Sequence, residues 1–110
     1  MYDRVLFFTN SSDQSDPNNG DVLADYADTG RRLVIATFSW ANQGGNTLGG
    51  RLMDDEISPL LVDGSSLYSN VTIGSTDGSA YWNGVNVING FFHDNVRLST
   101  GAELHGSWSD

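Results

Sequence analysis

Cysteine and lysine are both missing from this sequence, and histidine occurs only twice. Without cysteine the chain has no thiolate chemistry, no disulfide and no cysteine metal site. Cysteine usage therefore does not indicate whether the protein works in an oxidising or a reducing compartment. Arginine supplies all 5 cationic side chains, against 14 acidic ones, and the formal net charge is −9. A surface with this charge repels nucleic acids and anionic lipids, so we expect neither nucleic acid nor a membrane as a partner.

Long apolar runs are missing as well. The first apolar segment, Val5 to Phe8, is far too short for a signal peptide or a membrane span, so we expect a soluble chain whose localisation is unknown. A length of 110 residues fits a single domain over residues 1–110. Within it we predict a βαβ core over residues 1–40, followed by glycine-rich loops and β-strands over residues 41–110.

The first part of the chain has the pattern of a strand, a helix and a second strand. Val5 to Phe8 and Leu33 to Phe38 are continuous apolar runs, which is typical of strands covered on both faces. Between them, Asp16 followed by Pro17 favours a helix start, and Gly30 favours its end. The apolar face of this helix is predicted from Val22, Leu23, Tyr26 and Ala27. This order predicts a parallel pair of strands joined by a crossover helix, which is an α/β fold.

From Ala41 onward, glycine, asparagine and serine separate short β-prone segments. These segments are VTIG at 71–74, VNVI at 85–88, NVRL at 95–98 and AELHGSW at 102–108. No clear helix pattern lies among them. The sequence therefore predicts a β-rich second half.

Two stretches, YDRVLFFTNSS and NGDVLADYADTGRRLVIATFS, resemble the opening units of class I glutamine-amidotransferase-like domains, and more closely their ThuA-like (trehalose-utilisation-like) relatives. The resemblance covers about residues 2–51 and extends loosely to the later β segments. It implies a flavodoxin-like, amidotransferase-like fold with a parallel βαβ core. It also implies a shortened chain whose sheet lacks a neighbouring strand, so we expect a homodimer.

The resemblance also implies where chemistry would lie, and the expected residues are replaced there. Thr37 stands where the relatives have their cysteine nucleophile, and no histidine or lysine is near it in sequence to activate the hydroxyl. We therefore expect a non-catalytic binding or assembly module without a cofactor or metal. Its pocket is predicted at two loop ends, with Asn10, Ser11, Ser12, Ser39 and Trp40 as the ligand-binding residues.

Two alternatives stay open. The chain can instead be a small hydrolase or transferase that uses Thr37 or Ser39 with His93 as the base, although His93 also fits a simple turn residue. Its neighbour Asp94 would point to the opposite face of a strand and is a poor partner. The second alternative is a carbohydrate-binding module, since Trp40, Trp82 and Trp108 can stack on sugar rings as well as pack a core.

Overall fold

The computed structural model describes residues 2–10, 16–36, 38–42 and 47–110. Its elements, in chain order, are β1 (Arg4–Phe7), α1 (Pro17–Asp28), β2 (Arg32–Ile35), α2 (Arg51–Asp54), β3 (Leu60–Thr76), a 3₁₀ helix (Ala80–Trp82), β4 (Asn89–Leu98) and β5 (Gly106–Trp108). The strands form a parallel sheet of β1 and β2 and an antiparallel sheet in the order β4, β3, β5. None of the helices in these ranges is long and apolar enough to cross a bilayer.

Local signals place α1 as the sequence predicts. The Asp16 side chain accepts a hydrogen bond from the amide of Asn18 at 2.7 Å, and Pro17 occupies the first turn. Gly30, with a φ of 77°, follows the end of the helix, where a positive φ favours glycine. The buried side of α1 differs from the predicted one, because Val22 is 66% exposed and Ala24 is fully buried.

The predicted parallel pair is confirmed, since β1 and β2 align with Val5 opposite Leu33 and Phe7 opposite Ile35. These side chains pack against a core of Leu23, Ala24, Leu48 and Leu52. The prediction that both strands are buried on both faces is wrong. Exposure alternates along them, and the side chains on the other face are open to solvent, with Leu6 60%, Phe8 61% and Val34 55% exposed.

The predicted flavodoxin-like, amidotransferase-like core is also wrong. Such a core needs several parallel strands with helices on both faces. The described residues provide one parallel pair with a helix on one face, and most strand residues lie in the antiparallel sheet. The segment between β2 and β3 is long enough for a crossover, but β3 pairs antiparallel with β4 and β5 instead of adding a parallel strand to β2.

The antiparallel sheet is built around β3, which has 17 residues. Its first part pairs with β4, and its last part pairs with β5 through Ile73 opposite Trp108. The predicted segments 71–74 and 95–98 lie inside β3 and β4, so both are confirmed as strands. The prediction of a strand at 85–88 is wrong, because this segment forms the loop before β4. Of the predicted segment 102–108, only the residues of β5 form a strand.

The segment after β2 connects the two sheets. The rings of Phe38 and Phe92 on β4 lie 4.6 Å apart, and the Trp40 indole donates a hydrogen bond to the Leu60 carbonyl at 2.8 Å. The Thr9 hydroxyl, at the end of β1, donates to the Phe38 carbonyl at 2.9 Å. The antiparallel sheet is therefore attached to the parallel pair by a buried turn.

Arg51 joins α2 to α1. Its guanidinium contacts Asp25 at 2.5 Å and Asp28 at 2.7 Å, and its backbone amide donates to Asp21 at 2.8 Å. The three carboxylates follow one side of α1 at helical spacing. This side of α1 thus binds the single arginine of α2.

Candidate functional site

A cleft of about 510 Å³ opens on the antiparallel sheet. Its apolar walls come from several strands and loops and include Ile73, Trp82, Ile88, Leu104 and Trp108. Its polar lining is concentrated on β4 and at the end of the chain, with His93, Asp94, Asn95 and Asp110. Apolar walls with a few convergent polar groups are the usual composition of a small-molecule site.

His93 is the most buried polar side chain in this cleft, with 5% of the side chain exposed. It lies in β4 opposite Leu67, so its interpretation as a turn residue is wrong. Its Nε2 atom lies 2.9 Å from the Asp110 carboxylate. A carboxylate only accepts, so in the neutral ring Nε2 carries the proton and Nδ1 is an acceptor. Nδ1 is buried and has no hydrogen-bond partner in the described part of the chain.

The neighbouring carboxylate, Asp94, points elsewhere. It accepts a hydrogen bond from the Ser66 hydroxyl across the β3–β4 pair at 2.6 Å. The expectation that adjacent strand residues do not pair is confirmed, because His93 takes Asp110 as its partner instead. Asp94 therefore remains an acceptor at the cleft wall.

A second cavity of about 230 Å³ lies beside the cleft. Phe38, Trp40 and Phe92 line it, together with His93 and Trp108, which also line the larger cleft. His93 and Trp108 are thus shared by both spaces. Their rings lie 6.2 Å apart.

The three tryptophans have different environments. The indoles of Trp40 and Trp82 donate to backbone carbonyls, of Leu60 at 2.8 Å and of His105 at 2.6 Å. Trp82 also lies so close to Gly106 that a Cβ atom at that position would overlap its ring. Trp40 and Trp82 therefore hold the walls in place, while Trp108 on β5 presents a surface shared by both spaces.

The other histidine forms a separate cluster beside the cleft. His105 Nδ1 lies 2.7 Å from the Asp77 carboxylate, which also accepts from the Ser79 amide at 2.9 Å. The hydrogen bond from His105, assisted by the one from Ser79, lowers the pKa of Asp77 to about 2. The Tyr81 ring lies 4.8 Å from His105. These contacts fasten the loop after β3 to the segment before β5.

The structure brings together some of the predicted site residues. Trp40 and His93 line the same small cavity. Ser39 is fully buried, and its hydroxyl donates to the Ala36 carbonyl at 2.5 Å rather than to His93. Asn10 is exposed at the end of the first loop segment. Thr37, Ser11 and Ser12 lie outside the described residues, so their roles stay predictions.

Sequence reasoning missed the contribution of Asp110, Asn95 and the apolar walls at Ile73 and Ile88. The signal that could have found part of the site is the polar triplet His93 to Asn95, which lies between the apolar residues Phe92 and Val96. The pairing of His93 with Asp110 has no local signal, because it depends on how β5 returns along β3. No group of three His, Asp or Glu side chains suited to a metal ion occurs within the described ranges.

Known proteins provide no interpretation of this site. No family model matches the chain, and neither a curated protein nor a solved structure matches it. The resemblance to glutamine-amidotransferase-like domains is thus a prediction that rests on the quoted sequence segments alone.

Proposed function

We propose that this chain is a non-catalytic binding module that holds a small, neutral, polyhydroxylated ligand of the carbohydrate class in the cleft on the antiparallel sheet. The observation that carries the proposal is the buried Nδ1 atom of His93, which has no partner among the described residues although its ring lines the cleft. A buried polar atom without a partner is costly, and a ligand hydroxyl relieves that cost.

The size of the cleft supports a small ligand. Its volume of about 510 Å³ lies within the usual range for small-molecule sites. The Trp108 ring offers a flat apolar surface, and the apolar faces of sugar rings stack on such surfaces. Because the Nδ1 atom of His93 is buried, a ligand hydroxyl reaches it only after a small rotation of the imidazole or a shift of the wall beside it.

The polar groups of the cleft support a ligand that donates hydrogen bonds. Asp94 and Asp110 are acceptors, and His93 Nδ1 is an acceptor in the tautomer fixed by Asp110. A hydroxyl-rich ligand provides many donors. An anionic ligand would face two carboxylates on a chain with a net charge of −9, which disfavours it.

A binding role also agrees with the hydroxyl groups near the cleft. Among the described lining residues only Ser107 carries a hydroxyl, and this hydroxyl contacts the Ser75 hydroxyl at 3.0 Å instead of a histidine. Ser39 is likewise bonded to a backbone carbonyl. A nucleophile needs a base within hydrogen-bond reach, and neither serine has one. The enzyme alternative that uses Thr37 with His93 is kept as a prediction.

Titration of the uniformly ¹⁵N-labelled chain with neutral sugars tests the proposal. Suitable probes are glucose, galactose, mannose and N-acetylglucosamine, with cellobiose and lactose as disaccharides. The indole signals of Trp40, Trp82 and Trp108 report on different walls. We expect saturable shifts at Trp108 and Trp82 with at least one probe at millimolar concentration, with smaller shifts at Trp40.

Three variants locate the binding. Trp108→Ala removes the stacking surface and His93→Leu removes the acceptor, so each is expected to weaken binding at least tenfold. Tyr2→Ala is the matched control, because Tyr2 is an exposed aromatic beside the other sheet. Absence of saturable shifts with every sugar, or equal loss in the Tyr2 variant, contradicts the proposal.

A further inference from the structure

The face of the parallel sheet that points away from α1 is apolar in its centre and cationic at one end. Along β1 and just beyond it, this face carries Arg4, Leu6 and Phe8, and along β2 it carries Arg32 and Val34. All five side chains are exposed. Parallel strands are normally covered on both faces, so this open face is unusual.

The two arginines lie directly opposite each other, because Arg4 pairs with Arg32 in the strand register. Like charges in register are unfavourable. Neither guanidinium has an ion-pair partner in the described part of the chain. Both guanidinium groups are therefore available for contact with an external aromatic ring or acceptor.

We propose that a second copy of this chain covers this face, with the two-fold axis running across the strands at the level of Leu6. This axis places Leu6 against the partner's Leu6 and brings Arg4 over the partner's Phe8, since both residues lie two positions from the axis. An arginine over an aromatic ring is a favourable cation–π contact. The Phe8 ring of each copy therefore provides the aromatic surface for Arg4 of the other copy.

Charge decides between the two possible orientations. A two-fold axis parallel to the strands would put Arg4 of one copy over Arg32 of the other, and so bring all four guanidinium groups together. The axis across the strands keeps the two cationic ends apart. An isologous interface of this kind closes on itself and stops at the dimer.

The size of the face sets the strength of the contact. Two strands of 4 residues each cover less than the roughly 800 Å² per partner of a standard interface. The dimer is therefore smaller than one formed by exchanged strands, and it forms at high micromolar protein concentration. Each copy carries a net charge of −9, so added salt strengthens association by screening their repulsion.

Sedimentation equilibrium of the chain at low and high micromolar concentration, in low and high salt, tests the proposal with two charge variants. Arg4→Glu places a carboxylate against the partner's Phe8, and Phe8→Arg places a second cation against the partner's Arg4. Each variant alone is expected to dissociate at least tenfold more readily than the parent chain. An equimolar mixture of the two is expected to recover association, because the heterodimer pairs the new Glu side chain with the new Arg side chain and keeps one original contact.

Circular dichroism checks that each variant keeps its fold, which the exposure of Arg4 and Phe8 favours. Val22→Lys is the control, because Val22 is an equally exposed apolar side chain on α1. A parent chain that is monomeric at high micromolar concentration in high salt overturns the proposal. A dimer that survives both single variants, or a mixture that does not recover association, also overturns it.

Discussion

The parallel unit and the antiparallel sheet keep their structure by different means. The parallel unit, made of β1, α1, β2 and α2, surrounds the buried cluster that includes Leu23 and Leu52. In the antiparallel sheet the strongly buried apolar side chains are Leu61 and Val71, and much of the remaining contact comes from aromatic rings and side-chain hydrogen bonds. The region with the better apolar core thus carries stability, while the cleft lies in the region with more polar contacts. The difference teaches that the main apolar core and the candidate binding cleft lie on different sheets.

The largest expected loss of stability comes from a charge at Ile35, whereas the same change at its neighbour Val34 on β2 is expected to be tolerated. Ile35→Asp buries a carboxylate against the core beneath α1, at a cost of several kcal/mol against a typical total stability of about 5–15 kcal/mol. We expect this variant to lose cooperative unfolding. Val34→Asp, on the exposed face of the same strand, is expected to fold. Thermal unfolding followed by circular dichroism decides, and a cooperative transition for the Ile35 variant would refute the placement of the core.

A matched pair of leucines compares the two regions directly. Leu52 is 0% exposed inside the cluster of the parallel unit, and Leu61 is 5% exposed on β3 outside it. Leu→Ala changes in cores cost about 2–5 kcal/mol, with larger values where the surroundings cannot collapse. We expect Leu52→Ala to fall in the upper part of this range and Leu61→Ala in the lower part.

Chemical denaturation with urea measures both variants. Equal losses, or a larger loss for the Leu61 variant, would mean that the antiparallel sheet contributes as much core as the parallel unit. The comparison between the regions would then fail on its main point.

Removal of the arginine that joins α1 and α2 is expected to have a smaller effect. Arg51→Gln leaves Asp25 and Asp28 without their cation, which lowers the urea midpoint at low salt. Exposed ion pairs are screened, so the difference from the parent chain should shrink in concentrated NaCl. Arg31→Gln is the control, since Arg31 has no ion pair among the described residues. A loss that does not respond to salt would indicate a packing role for the Arg51 stem.

The smallest expected effect is a pH dependence in the antiparallel sheet. The pKa of Asp77 is lowered from 3.8 to about 2 in the folded chain, so its contacts with His105 and Ser79 stabilise the fold above pH 3.8. This contribution is lost as the pH falls from 3.8 to about 2, because the folded carboxylate then takes up its proton. Asp77→Asn should flatten the stability curve in this window, whereas Asp63→Asn, at an exposed position of β3, should not. Parallel acid titrations of the unfolding midpoint would show the difference, and identical curves for the Asp77 variant and the parent chain would contradict it.

Sequence reasoning succeeds where a structure depends on neighbouring residues. The start and the end of α1 are set by local signals. Asp16 caps its first turn, Pro17 begins it, and Gly30 follows its last turn. The pairing of β1 with β2 follows from the order of the elements. The open face at Leu6 was not predictable in this way, because an apolar run does not say which of its faces another element will cover.

The candidate site was less predictable for the same reason. His93 looks like a turn residue beside Asp94, but it becomes a buried strand residue once β3 pairs with β4. Its partner Asp110 is 17 positions away in sequence. For Ser39 the sequence predicts a hydroxyl available to a ligand. In the structure this hydroxyl instead donates to the Ala36 carbonyl and stabilises the turn after β2.

The length of β3 has a consequence for the shape of the cleft. A straight strand of its 17 residues would measure roughly 55 Å at the usual rise, yet the longest dimension of the chain is 35 Å. The strand must therefore curve, and the register shifts after Val62 and after Tyr68, with Gly64 at a φ of 122°, are the places where it can do so. Curvature of this kind makes one side of a sheet concave. The bend between Val62 and Ser66 lies opposite Val96 and Asp94, and Gly64 lies beside Asn95, so this backbone irregularity stands directly behind three residues that line the cleft.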